Sequence, residues 1–402
     1  MIDLKGIAVR WVNPALLVSF ILILTYGAVF LQTAVRGDDS WMRQMQGVAL
    51  GLILMAIVWL FDYRKLQHWL LPLFAANIFL LISPRIPGLA ADMRGTARSI
   101  SLGPLSLQPS EPAKVITILL LAAIIARYGG QIDNWRDFAK VVGLSLIPFF
   151  AVMTQPDLGT GLVFIIIMLG MLFMGGAKLR HLLVLILGGI VLVSLVLWIN
   201  GLTWSEHRGT AWCPDRHEHG DYLLLRQFQL NRLRVFLDQG ATDQRGLGYD
   251  LNQSMIAIGS GGMTGKGLGQ GTQSQLNFIS ERATDYIFSV LGEETGFVGT
   301  VALIGLYMAL LISALSVARV SSDLYGTLVC TGVISMWAFQ IMQNIGMTMG
   351  LMPITGIPLP FMSYGLSAIV TNIVACGLLF SVWSRRSYQA QLGGGDIRDI
   401  TL

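Results

Sequence analysis

The acids and bases that could do chemistry gather in one stretch. From Asn252 to Gly299 the chain reads NQSMIAIGSGGMTGKGLGQGTQSQLNFISERATDYIFSVLGEETGFVG, with Lys266, Glu281, Arg282, Asp285, Glu293 and Glu294 set among glycines and apolar residues. Asp285 follows Thr284 where a long apolar run begins. A carboxylate there can take a proton from a hydroxyl. It can equally be a helix-start acid, because the first turn favours negative charge and threonine is a good N-cap. Glu281 stands one turn earlier if the helix extends that far, and Arg282 could position the carboxylate or bind a substrate. Glu293 and Glu294 lie two turns on, beside Gly292 and Gly296. Adjacent acids in a membrane span are expensive unless paired or facing a wet cavity, so a structural ion pair or helix–helix hydrogen bonds are expected of them.

The segment Gly259–Gly267 (GSGGMTGKG) invites a phosphate-loop reading and fails it. That motif needs glycine where Ser260 stands, and serine or threonine where Gly267 stands. Two uses remain open: a turn whose N–H groups and Lys266 hold a pyrophosphate, or a flexible hinge. Glu111 and Lys114, three apart, share a helix face, as a local ion pair or as the wall of a cavity shared with Asp285. Asp157 reads as an N-cap or a cavity wall. Cys213, His217, Glu218 and His219 point away from a metal site, since the two histidines are two apart and no second cluster accompanies them.

The elements that must position these groups are membrane helices. Only 12% of residues are charged and 54% are hydrophobic; a soluble domain carries roughly 25% charged residues. The net charge of +4 then reports loop topology, and no nucleic-acid partner is expected. At about 20 apolar residues per span, ten spans are predicted: about 14–33, 46–61, 68–83, 113–128, 139–154, 159–177, 182–200, 286–317, 325–346 and 365–384. The expected fold is an all-α integral membrane protein, one polytopic domain over 1–402 with a transmembrane core over 14–384. Lys5, Arg10, Arg64, Lys65, Lys178, Arg180, Arg319, Arg385 and Arg386 fall on one face, which is therefore cytoplasmic and carries both termini and the tail 387–402. The opposite face carries the large loop 201–285 between helices 7 and 8. Within it, Gln227–Asp238, with Arg232 and Arg234, has the spacing of an interfacial amphipathic helix, and Asn252–Ile258 is expected to form another short helix. Arg94 and Arg98 also lie outside, against the positive-inside bias, which suggests an anionic ligand or a solvated loop. Residues 344–367 hold three prolines and no charge, as a re-entrant segment beside the cavity or a tight loop.

Four blocks carry a resemblance that runs from about residue 15 to 386. They are Arg94–Lys114 (RGTARSISLGPLSLQPSEPAK), Gln155–Gly161 (QPDLGTG), Phe236–Gly299 with FLD, GLGYDLNQS, AIGSGG and TDYIF, and Asn344–Gly365. Together they resemble the SEDS family (shape, elongation, division and sporulation proteins), and Thr355–Phe361 (TGIPLPF) is more like its rod-shape branch than its division branch. Two positions depart from the family pattern: Ser99 after Arg98, and Leu366 within SYGLSA, Ser363–Ala368.

The resemblance implies a ten-helix, multi-pass enzyme of the bacterial cytoplasmic (inner) membrane. That enzyme is a peptidoglycan glycosyltransferase polymerising lipid II into glycan strands at the outer face during cell elongation. It also implies a class B penicillin-binding protein as transpeptidase partner, with other proteins of the elongation complex. The family's essential aspartate falls on Asp285 and its Glu/Lys pair on Glu111 and Lys114. An α-linked lipid-pyrophosphate donor and a β-linked product require inversion, with a base on the acceptor 4-hydroxyl and cations on the leaving group. Asp285 is the expected base, and Glu281 beside it is an expected substrate-binding residue. Arg94, Arg98, Lys266 and Arg282 are the expected substrate-binding cations. A carboxylate at a helix start is only weakly basic, so orienting the hydroxyl or holding a divalent cation, Mg or Mn, are further uses; no other cofactor is expected. A lipid II flippase is the alternative, with Glu111, Asp157, Glu293 and Glu294 as its path.

Overall fold

The computed structural model describes residues 12–35, 39–86, 90–93, 96–102, 105–155, 157–199, 232, 235, 236 and 247–386, with the side chains of 90–98, 101–106, 197, 199 and 247 outside that description. Each of the ten apolar stretches contains a helix: α1 Pro14–Ala34, α2 Ser40–Leu60, α3 Leu70–Ile82, α4 Ser110–Ala126, α5 Trp135–Met153, α6 Leu158–Met174, α7 Leu179–Ile199, α10 Ile287–Arg319, α11 Leu324–Thr348 and α12 Leu366–Ser384. Two further helices, α8 Leu247–Ser260 and α9 Thr272–Gln275, precede α10. The short helix expected at Asn252–Ile258 is thus part of a longer one. Among the described residues, six helices are long and apolar enough to cross a membrane: α1, α2, α7, α10, α11 and α12. Their outward faces expose large apolar side chains, such as Leu187, Val191 and Trp198 on α7 and Val301, Met308 and Ile312 on α10. That surface would drive aggregation in water; lipid is its natural solvent, and the chain is a nearly all-helical integral membrane protein.

One expectation needs correcting: the fold is not purely helical. Between α3 and α4 lies an antiparallel sheet of three strands, β1 Ala90–Met93, β2 Thr96–Leu102 and β3 Leu105–Leu107, in the order β1-β2-β3. Met93 pairs with Thr96 and Leu102 with Leu105; in the sequence the dipeptides Arg94-Gly95 and Gly103-Pro104 fall between the strands. Both contain turn formers, but strands of three to seven residues lie below the resolution of a scan for 20-residue spans.

Helix starts follow their caps. Asn13 accepts from the Leu16 N–H at 3.1 Å with Pro14 in the first helical turn, and Asp323 accepts from the Gly326 N–H at 2.6 Å. Small residues let helices approach: Gly47 and Gly51, four apart on α2, receive Leu366, Ile369 and Ile373 of α12. Polar side chains join helices in the interior, with the Trp337 indole donating to Asn372 at 2.8 Å and the Asn77 amide to Thr117 at 2.8 Å.

The connections sort into two ends of the bundle. At one, Arg64 pairs with Asp323 at 3.0 Å, Arg385 with Asp62 at 3.6 Å and Lys178 with Asp133 at 3.2 Å. At the other, the Gln44 amide donates to the Ser363 carbonyl at 3.1 Å, the Gln108 N–H to the Ser367 hydroxyl at 2.7 Å and the Tyr364 N–H to the Ala283 carbonyl at 2.8 Å. Loops predicted on one face therefore meet one another, and so do those predicted on the opposite face.

Candidate active site

The glycine-rich segment clasps a broken helix. Inside α10, Gly296 has φ 64° and ψ −159°, which interrupts the helical ladder. The Lys266 and Gly267 N–H groups donate to the freed Glu293 and Glu294 carbonyls at 3.0 Å each. In return the Phe297 and Val298 N–H groups donate to the Gly262 and Met263 carbonyls at 2.8 and 3.1 Å. Backbone groups freed from a helix must find other partners, and Gly261–Gly267 supplies them here. Its amides at Lys266 and Gly267 are thereby spent on the helix, which corrects the pyrophosphate-cradle reading of this turn.

Lys266 belongs to the same device. Its ammonium lies 2.7 Å from Glu293 Oε1 and 2.8 Å from the Thr272 hydroxyl. Fully buried Glu293 also accepts from the Gln273 and Ser274 N–H groups at 2.9 and 3.2 Å. Glu294 accepts from the Thr33 hydroxyl at 3.0 Å. Both acids play the structural role expected of them, and Lys266 sits with them.

Asp285 lies just outside α10. The helix begins at Ile287, and its N-cap position is Tyr286, without a side-chain cap bond. Thr284 is therefore not the cap: its hydroxyl donates to Glu281 Oε2 at 3.1 Å. The Asp285 and Tyr286 N–H groups both donate to the Glu281 carbonyl, at 3.0 and 3.1 Å, so residues 281–286 form a single turn. The Asn344 amide of α11 donates to the Asp285 carbonyl at 2.9 Å and to the Ile357 carbonyl at 2.8 Å, which ties this turn to the proline-rich loop before α12.

The Asp285 carboxylate faces that loop. A Cβ built on Gly356, whose φ is +70°, would lie 3.2 Å from Asp285 Oδ2 and 3.6 and 3.7 Å from the two terminal nitrogens of Arg232. Burial pushes the Asp285 carboxyl up to about 6. Glu281, Asp157 and Asp250 push the same way, and Arg232 opposes them. Asp157 also caps α6, accepting from the Thr160 N–H at 3.1 Å and hydroxyl at 2.9 Å.

The other expected site residues are placed as follows. Arg282 donates to the Ala34 carbonyl at 2.6 Å and to the Asn277 side chain. It lines, with Glu281, Thr284, Ser40 and Tyr364, a cleft of about 340 Å³. Glu111 and Lys114 form a buried ion pair at 2.8 Å in the first turn of α4. Arg94 and the Arg98 side chain lie outside the described residues, as do Cys213, His217, Glu218 and His219. Of the expected amphipathic helix Gln227–Asp238, only Arg232, Val235 and Phe236 are described, all helical.

Arg232, expected at an interface, stands beside Gly356 and Asp285 instead, and Gly356 gains a role not expected of it. Arg232 shares its stretch with Arg234 at similar spacing, so no local signal separates them; the positive φ forced on the Thr-Gly-Ile-Pro turn is the cue for Gly356. Among the described residues no group of three or more His, Cys, Asp or Glu side chains could hold a metal ion. Beside Asp285 stands a guanidinium, which repels cations. The described residues beside Asp285 thus offer no donor set that fits the Mg or Mn expectation.

A family model described as "Cell cycle protein" (FTSW_RODA_SPOVE) matches residues 8–388. The peptidoglycan glycosyltransferase RodA of Treponema pallidum (strain Nichols) is 32% identical, over 92% of this chain and 97% of that one. The peptidoglycan glycosyltransferase MrdB of Escherichia coli (strain K12) is 33% identical, over 93% and 94%. Among solved structures, a chain of the one described as "Structural coordination of polymerization and crosslinking by a peptidoglycan synthase complex" superposes with a TM-score of 0.74 at 29% identity, over 92% and 96% of the two chains. The rod shape determining protein RodA of Thermus thermophilus superposes with a TM-score of 0.65 at 27% identity, over 92% and 96%.

Proposed function

The chain belongs to the FtsW/RodA/SpoVE family, the SEDS proteins, and from that premise we propose that Asp285 is the general base of a lipid-linked glycan polymerisation. The protein is a multi-pass membrane peptidoglycan glycosyltransferase of cell elongation, like its RodA and MrdB relatives. The chain crosses the inner membrane ten times with both termini in the cytoplasm. Lipid II is both donor and acceptor. The acceptor 4-hydroxyl gives its proton to Asp285 as its oxygen attacks the donor's anomeric carbon from the face opposite the pyrophosphate. The configuration inverts, and the lipid pyrophosphate leaves with the bond's electron pair.

The observation that carries this reading is the setting of Asp285. Its carboxyl is half-buried at the mouth of the bundle, held through its own backbone by Asn344, and pushed up to about 6. A base titrating near the working pH combines an ionised ground state with useful proton affinity, and such a group contributes typically 10²–10⁴-fold. Arg94 and Arg98 of the first outer loop and Arg282, which lines the cleft, are the proposed cations for the leaving phosphates. Lys266 is left to the helix break. A class B penicillin-binding protein is the proposed partner. A structural neighbour described as a peptidoglycan synthase complex that coordinates polymerisation and crosslinking supports it.

The test is polymerisation of lipid II by the purified complex, read as glycan length on gels, for wild type and Asp285→Asn. A monodisperse variant that has lost at least about 100-fold in rate supports the assignment. Equal polymer from both removes Asp285 from the chemistry. No polymer from either, with lipid II crossing vesicle bilayers, supports the flippase instead.

A further inference from the structure

Three segments far apart in the chain meet at Asp285. One is its own turn, one is the charge-free loop holding Gly356, and the third is the long loop before α8, which delivers Arg232. The Cβ position of Gly356 is within 3.7 Å of both terminal nitrogens of Arg232 and 3.2 Å from Asp285 Oδ2. Carboxylate and guanidinium therefore share one niche, and that niche exists because the wall residue has no side chain. Arg232 is anchored there by its neighbour one helical step on. Val235 is buried against Leu251 of α8 and Ile354 of the same wall loop. Arg232 and Val235, both helical and three apart, have the spacing of residues that share a face, which sets Arg232 on the side that Val235 buries.

The charges facing Asp285 are unbalanced without it. Glu281 comes from its own turn, Asp250 from α8 and Asp157 from the start of α6, and all three act on the carboxylate as like charges. Tyr286 beside it is a phenol pushed up by burial and stays neutral. The loop 349–365 has no charged residue, and α11 offers the neutral Asn344. Among the described residues, Arg232 is the cation that offsets the three acids.

We propose that Arg232 is the positioning residue of Asp285, its guanidinium holding the carboxylate ionised and aimed at the acceptor hydroxyl from a niche that Gly356 keeps open. This rests on Asp285 being the base. The balance of the step is unchanged: the proton passes from hydroxyl to Asp285, and Arg232 exchanges nothing.

The experiment is the pH profile of lipid II polymerisation by the purified complex from pH 5.5 to 9, for wild type, Arg232→Gln and Arg232→Lys. An opposite charge within about 4–6 Å lowers a carboxyl pKa by about 1–3 units. Removing it should therefore move the acid limb up by about one unit or more. Arg232→Gln is then several-fold slower at pH 6.5 and recovers much of its rate by pH 8.5. Arg232→Lys keeps the charge and loses the planar fork, so its limb stays near the wild-type position while its plateau falls. A limb that stays in place for Arg232→Gln, with the rate lowered equally at every pH, overturns the proposal, because that is how a purely structural arginine behaves. If Arg232→Gln is not monodisperse, Arg232→Lys decides, and a limb displaced upward in it refutes the charge role. An Asp285→Asn complex measured alongside separates the two levels. If it still polymerises, the base assignment has failed. If it is inactive while the arginine variants leave the limb in place, only the Arg232 inference has failed.

Discussion

Replacing Gly296 by alanine should unfold the clasp that holds α10 together. Its backbone, at φ 64° and ψ −159°, lies in territory essentially reserved for glycine, and forcing another residue there costs about 1–3 kcal/mol. The added methyl would sit 2.4 Å from the Gly265 nitrogen, 2.8 Å from the Gly262 oxygen and 2.8 Å from the Met263 carbonyl carbon. These are backbone atoms and cannot rotate aside, so overpacking adds about 1–3 kcal/mol. The helix could escape by straightening, but that forfeits the four hydrogen bonds crossing the break, at about 1 kcal/mol each. Either route lands at roughly 2–6 kcal/mol. The control is Gly305→Ala on the same helix, where a Cβ meets nothing within 4 Å; there alanine should be neutral or stabilising by up to about 1 kcal/mol. Thermal unfolding of both variants in one detergent, followed by tryptophan fluorescence, gives the comparison. A Gly296→Ala protein melting with wild type and with Gly305→Ala would refute the clasp.

The polymerisation rate should rise about tenfold between pH 5 and pH 7, as a carboxyl near 6 goes from about a tenth to about nine-tenths ionised; a flat profile would place the base elsewhere. Stability should move the other way. The folded carboxyl keeps its proton to higher pH than the unfolded chain, so stability declines as pH rises from about 4 to 6. Asp285→Asn should therefore melt higher than wild type at pH 7.5, by at most about 3 kcal/mol at 1.36 per pKa unit and less for the part of the group that water reaches; an unchanged or lower melting point counts against the burial argument. Gly356→Ala sets a methyl 3.2 Å from Asp285 Oδ2 at a φ of +70°, and should lower the maximal polymerisation rate at least about tenfold in a complex that still purifies intact. Lys266→Met strips the counter-charge from a fully buried Glu293. It should destabilise by about 3 kcal/mol, relieved in part by adding Glu293→Gln; a raised KM for lipid II at unchanged stability would return Lys266 to the substrate.

What could be read from the residues alone depended on length scale. Runs such as Leu179–Ile199 announce a membrane helix because the bilayer imposes a minimum apolar length that composition reveals directly. The pairing of Glu111 with Lys114 is local, set by helical spacing, and equally visible. The strands at 90–107 are too short to generate a signal against the span scale. The clasp was hidden for a different reason. A glycine-rich turn looks the same whether its amides serve a ligand or a neighbouring helix, and only the partner carbonyls of Glu293 and Glu294 decide between them. Arg232 reaches Asp285 by long-range folding through Val235, Leu251 and Ile354, and a contact of that kind leaves no mark in either segment.

The break at Gly296 also divides α10 by length. From Phe297 to Arg319 about 23 residues remain, some 34 Å at 1.5 Å per residue, already enough for a hydrocarbon layer of about 30 Å. The stub from Ile287 to Thr295 is surplus to the crossing. Glu293 and Glu294 belong to this surplus, so the two carboxylates need never meet acyl chains. The turn that carries Asp285 is thereby joined to a piece of helix that the crossing does not need, and protein contacts such as the four backbone hydrogen bonds at the break hold that piece in place.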